Sequence, residues 1–243
     1  MGFFSKLFGQ QAKPSSPTTV ATAPPAADSS TLTPDQLALA GARTALSLDD
    51  FSAALVAATP LMQATDKSIR QDAIQICSLA AIASEQWPDA YSVTQKLFEL
   101  APTAHHALQL AVAAIMIGDA KRGDAWISKA IEINERRKVL PPMLIRTQFI
   151  RALVQQQQLA PALPHLDWMK GVYLPLHNTD PTYLALRGLP DFDAFLAQSW
   201  PVVIPVLASS QAIVWYSEML PYLDTPGQSA VRAVLRTQLG FDS

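Results

Sequence analysis

Four histidines, one cysteine and a few close acidic pairs are the places where this chain could do chemistry. His105 and His106 are adjacent, so on a helix their side chains diverge by about 100° and cannot share a metal as residues four apart would. His165 with Asp167, and Asp191 with Asp193, stand two apart and make no better pairs. No glycine-rich phosphate loop, Gly-x-Ser-x-Gly elbow or His-Glu-x-x-His run occurs. The run Glu135-Arg136-Arg137-Lys138 is the only concentrated charge, and at a helix end its cations would meet the orphan carbonyls and the negative dipole end. These residues point to a chain that is not an enzyme, holds no metal and needs no cofactor.

Those side chains must be carried by a scaffold that composition already narrows. In 243 residues there are 18 basic and 20 acidic side chains, a formal charge of −2, so no global field draws in nucleic acid or anionic lipid. Charged residues make up 16% and hydrophobic ones 49%, enough apolar surface for a substantial core. Only nine Gly stand among many Ala and Leu, which favours helix over sheet. Cys77 lies alone in an apolar helical run, which fits a reducing compartment. The expected location is cytoplasmic, of bacterial type, with peripheral contact at the inner membrane as an alternative.

The chain opens with MGFFSKLFG, where Lys6 interrupts the apolar run and no small-residue cleavage site follows, unlike a secretory signal. Lys6 also stands where N-myristoylation needs Ser or Thr. If residues 1–9 are helical, Phe3, Phe4, Leu7 and Phe8 share a face, a short docking peptide for weak contact with a membrane surface or a protein groove. Residues 10–33, rich in Pro, Ala, Ser and Thr without apolar period, read as a disordered linker. Thr33, Pro34 and Asp35 then make a helix start: N-cap, first-turn proline and an acid for the dipole.

Beyond Thr33 a shape recurs. Phe51 stands three before Ala54, Trp87 three before Ala90 and Leu159 three before Ala162, while Ala125 fills the intervening place with a shift of two. The spacings are 36, 35 and 37 residues (90−54, 125−90, 162−125), an internal repeat. Each unit has an upstream apolar helix: Leu37, Leu39, Ala42 and Leu46; Ile74, Cys77, Ala81 and Ile82; Leu108, Leu110, Ala111 and Ile115; Leu144, Phe149, Ile150 and Leu153. The small residues suit close crossings of antiparallel helices.

With Trp87 in the turn, Ala90 in the small place, Pro102 as terminator, Gly118-Asp119 between helices and Ala130 in a second small place, the chain resembles the tetratricopeptide repeat. Gly123, Gln156 and Gln157 depart from that pattern. The resemblance implies an all-α, TPR-like α-solenoid of about four helical hairpins over residues 34–175, with a helical C-terminal cap over 176–243. It implies a peptide-binding groove lined by the first helices, at Gln75, Leu79, His105, Leu108, Val112 and Arg151. Only Arg151 among them is charged, so the expected ligand is an extended or helical protein segment with apolar anchors.

In the tail, Asp180 to Ala197 is similar to a segment that follows such arrays, with short helices on either side of Gly188-Leu189-Pro190. Residues 198–217 carry no charge, but Pro201, Pro205, Ser209, Ser210 and Gln211 favour a buried helix from Pro205 over a membrane span, with Val206, Ile213, Val214 and Leu220 inward. A last helix, Pro226 to Leu239, would bury Val231, Val234, Leu235 and Leu239. The function expected is a non-enzymatic adaptor or scaffold for a protein or peptide partner. The alternatives are a chaperone-like or toxin-neutralising protein with one cognate partner, and an enzyme using the region from Asp180.

Overall fold

The computed structural model describes residues 32–241, and these are all-helical. Phe3, Phe4, Leu7 and Phe8, with almost all of the linker, lie outside the described residues. Among the described residues twelve α-helices follow one another. They are α1 (Pro34–Ser47), α2 (Phe51–Ala58), α3 (Lys67–Ala83), α4 (Trp87–Leu100), α5 (Ala104–Met116) and α6 (Ala120–Arg137). After them come α7 (Pro142–Gln155), α8 (Leu163–Tyr173), α9 (Pro181–Leu186), α10 (Phe192–Val206), α11 (Ser209–Ser217) and α12 (Thr225–Leu239).

The starts are set by short polar side chains that take the orphan N–H groups of the first turn. Thr33 and Gln36 form a reciprocal capping box ahead of Pro34, the start expected from sequence. Asp50, Asp66, Thr103 and Asp119 accept from the backbone N–H groups of Ala53, Ser68, His106 and Arg122 respectively.

Four times a helix turns back through one backbone device. After α1, α3, α5 and α7 a residue adopts the left-handed conformation: Asp49, Glu85, Gly118 and Gln157, with φ of 59°, 58°, 87° and 56°. The next N–H reaches back five residues: Asp50 to Ala45 O (2.9 Å), Gln86 to Ala81 O (2.9 Å), Asp119 to Ala114 O (2.9 Å) and Gln158 to Leu153 O (2.8 Å). The turns recur at 36, 33 and 39 residues (85−49, 118−85, 157−118). Only the third uses glycine, which enters this conformation without a Cβ clash.

Counted from the left-handed residue, the fifth, ninth and twelfth positions are buried in every hairpin. The fifth is small each time: Ala54, Ala90, Gly123 and Ala162. This corrects the spacing, which put Ala125 in the third small place, whereas the resemblance set Gly123 where alanine is usual. Ala125 is exposed, and Gly123 is the residue at the crossing. A Cβ added there would stand 2.8 Å from Ile115 Cγ1, so the Ile115 side chain packs onto the glycine and would have to shift for an alanine. Leu37, expected inward, is 65% exposed, because Leu39 and Ala42 carry the buried stripe of α1.

Contacts divide the chain into two compact units, one ending at Pro102 and the other starting at Thr103. In the first, α3 packs on both α1 and α2 and pairs with α4. Its core gathers Leu39, Ala54, Leu61, Ile69 and Cys77. Cys77 is buried and free, 3.9 Å from the Thr59 hydroxyl.

In the second unit α7 packs on both α5 and α6, and α8 follows α7. The change of pattern expected at residue 176 is a change in how helices are joined, since the helices beyond it belong to the same compact unit. Aromatic rings of Tyr173, Phe192, Phe195, Trp215 and Tyr216 meet at centroid distances of 4.8 to 6.3 Å. The helix expected from Pro205 is instead two: α10 runs through Pro201 and Pro205 to Val206, and α11 starts at Ser209. In the second of these Ala212, Trp215 and Tyr216 face inward and Val214 is exposed. Among the described residues no helix is long and apolar enough to cross a membrane.

Candidate functional site

A cleft of about 590 Å³ opens where α6 ends and α7 begins. Its wall is built by a short loop whose shape follows from two residues. Lys138 caps α6 in the left-handed conformation, φ 50°, and turns the chain away from the helix axis. Asn134, buried on the last turns of α6, then grips the backbone of one residue through both its N–H and its C=O. Its Nδ2 donates to Leu140 O at 2.8 Å, and its Oδ1 accepts from Leu140 N at 2.8 Å. Pro141 and Pro142, the second in the first turn of α7, restrict the remaining backbone freedom. Val139 is thereby held 70% exposed at the rim.

The opposite wall brings together residues 22 apart in sequence. The Arg146 guanidinium of α7 lies over the indole of α8 Trp168, 3.7 Å from the ring centroid. Trp168 remains 38% exposed. Burial holds the Arg146 pKa below its usual value, and the Glu135 carboxylate opposes that shift. The other lining groups are apolar: Ile131, Leu140, Pro141, Pro142 and Ile145.

The sequence-derived groove divides differently. Gln75 and Leu79 lie on α3 and are half-buried, while His105, Leu108 and Val112 lie on α5 and Arg151 on α7. Leu108 and Val112 are each 1% exposed. Both therefore belong to the core, and a partner could touch them only by prising packed helices apart. The physical reason is that α5 is buried along nearly its whole length, so it has no broad solvent face to line a groove. His105 is lowered to about pKa 4 by burial, with His106 adding to the shift, and stays neutral. Arg151 is half-buried, and burial lowers its pKa too.

Sequence reasoning placed Glu135 to Lys138 at a helix end, where they lie, but missed Asn134, Arg146 and Trp168. The Pro141-Pro142 pair was the available signal of a rigid corner. The stacking of Arg146 on Trp168 depends on how α7 and α8 cross, and no local pattern encodes it.

His165, lowered to about 4 mainly by burial and further by Arg146, with Asp124 opposing, packs edge-on to Phe149 at 5.2 Å. Asp167 accepts from Trp215 Nε1 at 2.6 Å. Asp191 and Asp193 line a smaller cavity of about 340 Å³ with Thr179 and Gly227. Among the described residues no group of three or more His, Cys, Asp or Glu is placed to hold a metal ion. No protein-family model, no curated protein and no solved structure matches the chain.

Proposed function

We propose that this protein is a non-enzymatic adaptor that binds a peptide segment of a partner, and that the cleft between α6, α7 and α8 is where it does so. The observation that carries the reading is the cleft itself: a rigid, mainly apolar concavity with an exposed tryptophan and valine at its mouth. Buried or half-buried aromatic and arginine side chains in such settings anchor most of the energy of protein contacts. A helical-hairpin scaffold of the solenoid kind suits the same role, because repeated hairpins hold a recognition surface without needing a lid or a moving loop.

The test is selection of a random dodecapeptide library on the intact chain and on Trp168→Ala. Enrichment of binders on the intact chain, with at least about ten-fold weaker binding to Trp168→Ala, is expected. Absence of any enriched peptide on a folded chain, or binders indifferent to Trp168→Ala, would refute the reading.

A further inference from the structure

The cleft contains a guanidinium that no carboxylate approaches closely, although Glu135 shares its lining. Arg146 gives one face of its guanidinium to Trp168, which leaves the in-plane N–H donors to be satisfied elsewhere. Its Nε is buried and has no hydrogen-bond partner among the described residues. Among the described residues no carboxylate approaches Arg146 within 4 Å, although five other ion pairs form. Glu135 acts on it only across a longer distance. A half-buried guanidinium without a close carboxylate is left uncompensated, and a carboxylate brought by a ligand would supply the charge and accept from the Nη groups.

We propose that the occupant of this cleft is an apolar segment of a partner protein carrying a side-chain carboxylate that pairs with Arg146, beside an apolar residue packed on Trp168 and Val139. The inference rests on the peptide-binding reading above and adds the chemistry of the ligand. Charge supports an acid: of the three charged residues lining the cleft, Lys138 and Arg146 are cationic and Glu135 is anionic. The singly charged carboxylate suits the site better than a phosphate. One Arg146 head is unpaired, Glu135 repels a second negative charge, and the rest of the wall is hydrocarbon.

Selected peptides decide the matter when the strongest binder is remade with its acidic residue changed to Gln or to phosphoserine. On the intact chain the Gln version should bind about ten-fold more weakly, and on Arg146→Gln the two should differ by less than about two-fold. Glu135 is exposed on the cleft wall, and Glu135→Gln removes the like charge; it should tighten the acidic peptide about two-fold or more relative to its Gln version. Binders that lack an acidic residue yet depend on Trp168 would overturn this inference and leave the peptide-binding reading intact. A phosphoserine version that binds more than ten-fold tighter than the carboxylate would overturn the choice of carboxylate. The absence of any binder would remove both.

Discussion

The four hairpins between Pro34 and Tyr173 and the helices beyond His177 solve the same problem by different means. In the hairpins, reversal of direction is a backbone matter: a left-handed residue, a hydrogen bond reaching back five residues, then a small side chain where the helices cross. Few side chains take part. Beyond His177 the joints are made by side chains that reach across long sequence separations. Lys170 pairs with Glu218 at 3.0 Å and lies 4.5 Å from the Trp215 ring centroid. Asp224 accepts from Thr179 N and Oγ1 at 2.9 and 2.6 Å, and Ser199 meets the Tyr216 hydroxyl at 2.9 Å. His177 Nδ1 lies 2.8 Å from Tyr222 O. A local device can recur along a chain, because each copy needs only its own residues. A long-range clasp is made once.

The sharpest break of that contrast is at the crossing of α5 and α6. Gly123→Leu forces a side chain into the Ile115 contact and should cost about 3 kcal/mol. Urea unfolding of the intact chain measures it, and a loss below about 1 kcal/mol would mean that the two helices separate freely.

Next in size is the clasp. Asp224→Ala removes two bonds from Thr179 and the cap on Gly227 N, which lies 3.0 Å away, for an expected loss of about 2 kcal/mol. Amide exchange should then rise at the start of α12 and not in α1 to α6.

The two regions should also differ in their response to acid. His105 and His165 hold pKa values of about 4 in the fold against an ordinary 6.5. Between those values the unfolded chain takes up protons that the folded chain refuses. Stability is therefore full above pH 6.5 and falls as pH drops toward 4, on the order of 2 kcal/mol for each histidine after allowance for partial exposure. Asp224 behaves otherwise. Burial pushes its carboxyl up, but the bonds from Thr179 and Gly227 outweigh that and hold it below the usual carboxylate range. Its contribution is lost at lower pH, as the folded carboxylate protonates. Urea midpoints of the wild type and His165→Phe at pH 7 and 5 test the assignment, and equal pH slopes would count against it.

The smallest effect concerns the turns. Glu85→Gly relieves a left-handed Glu and should stabilise by about 0.5 kcal/mol, whereas Gly118→Ala should cost about 1 kcal/mol. If both substitutions shift stability the same way, the turns are not equivalent.

The same contrast explains what could be read from residues alone. Caps and turns are local, so Thr33-Pro34 and Gly118-Asp119 announced a helix start and a hairpin, and the spacing of Ala54, Ala90 and Ala162 announced the repeat. Register by spacing failed only where the third small residue is a glycine, since Ala125 offered a nearer match in residue type, although the resemblance had Gly123 at the usual alanine place. The helix break at 207–208 was misplaced because Pro201 and Pro205 are tolerated inside α10. Amphipathic spacing tells which residues are apolar, and not which face a neighbouring helix covers. Leu108 and Val112 were lost to the core in this way. Arg146 and Trp168 meet only in three dimensions.

Amide exchange of the intact chain with and without its strongest selected peptide tests the central claim most directly. The expected result is slowed exchange confined to the end of α6, the 138–141 loop, the start of α7 and the α8 turns around Trp168. Slowing confined instead to α3 and α5, where Gln75, Leu79 and His105 lie, or to the helices beyond His177, would contradict the assignment of the cleft.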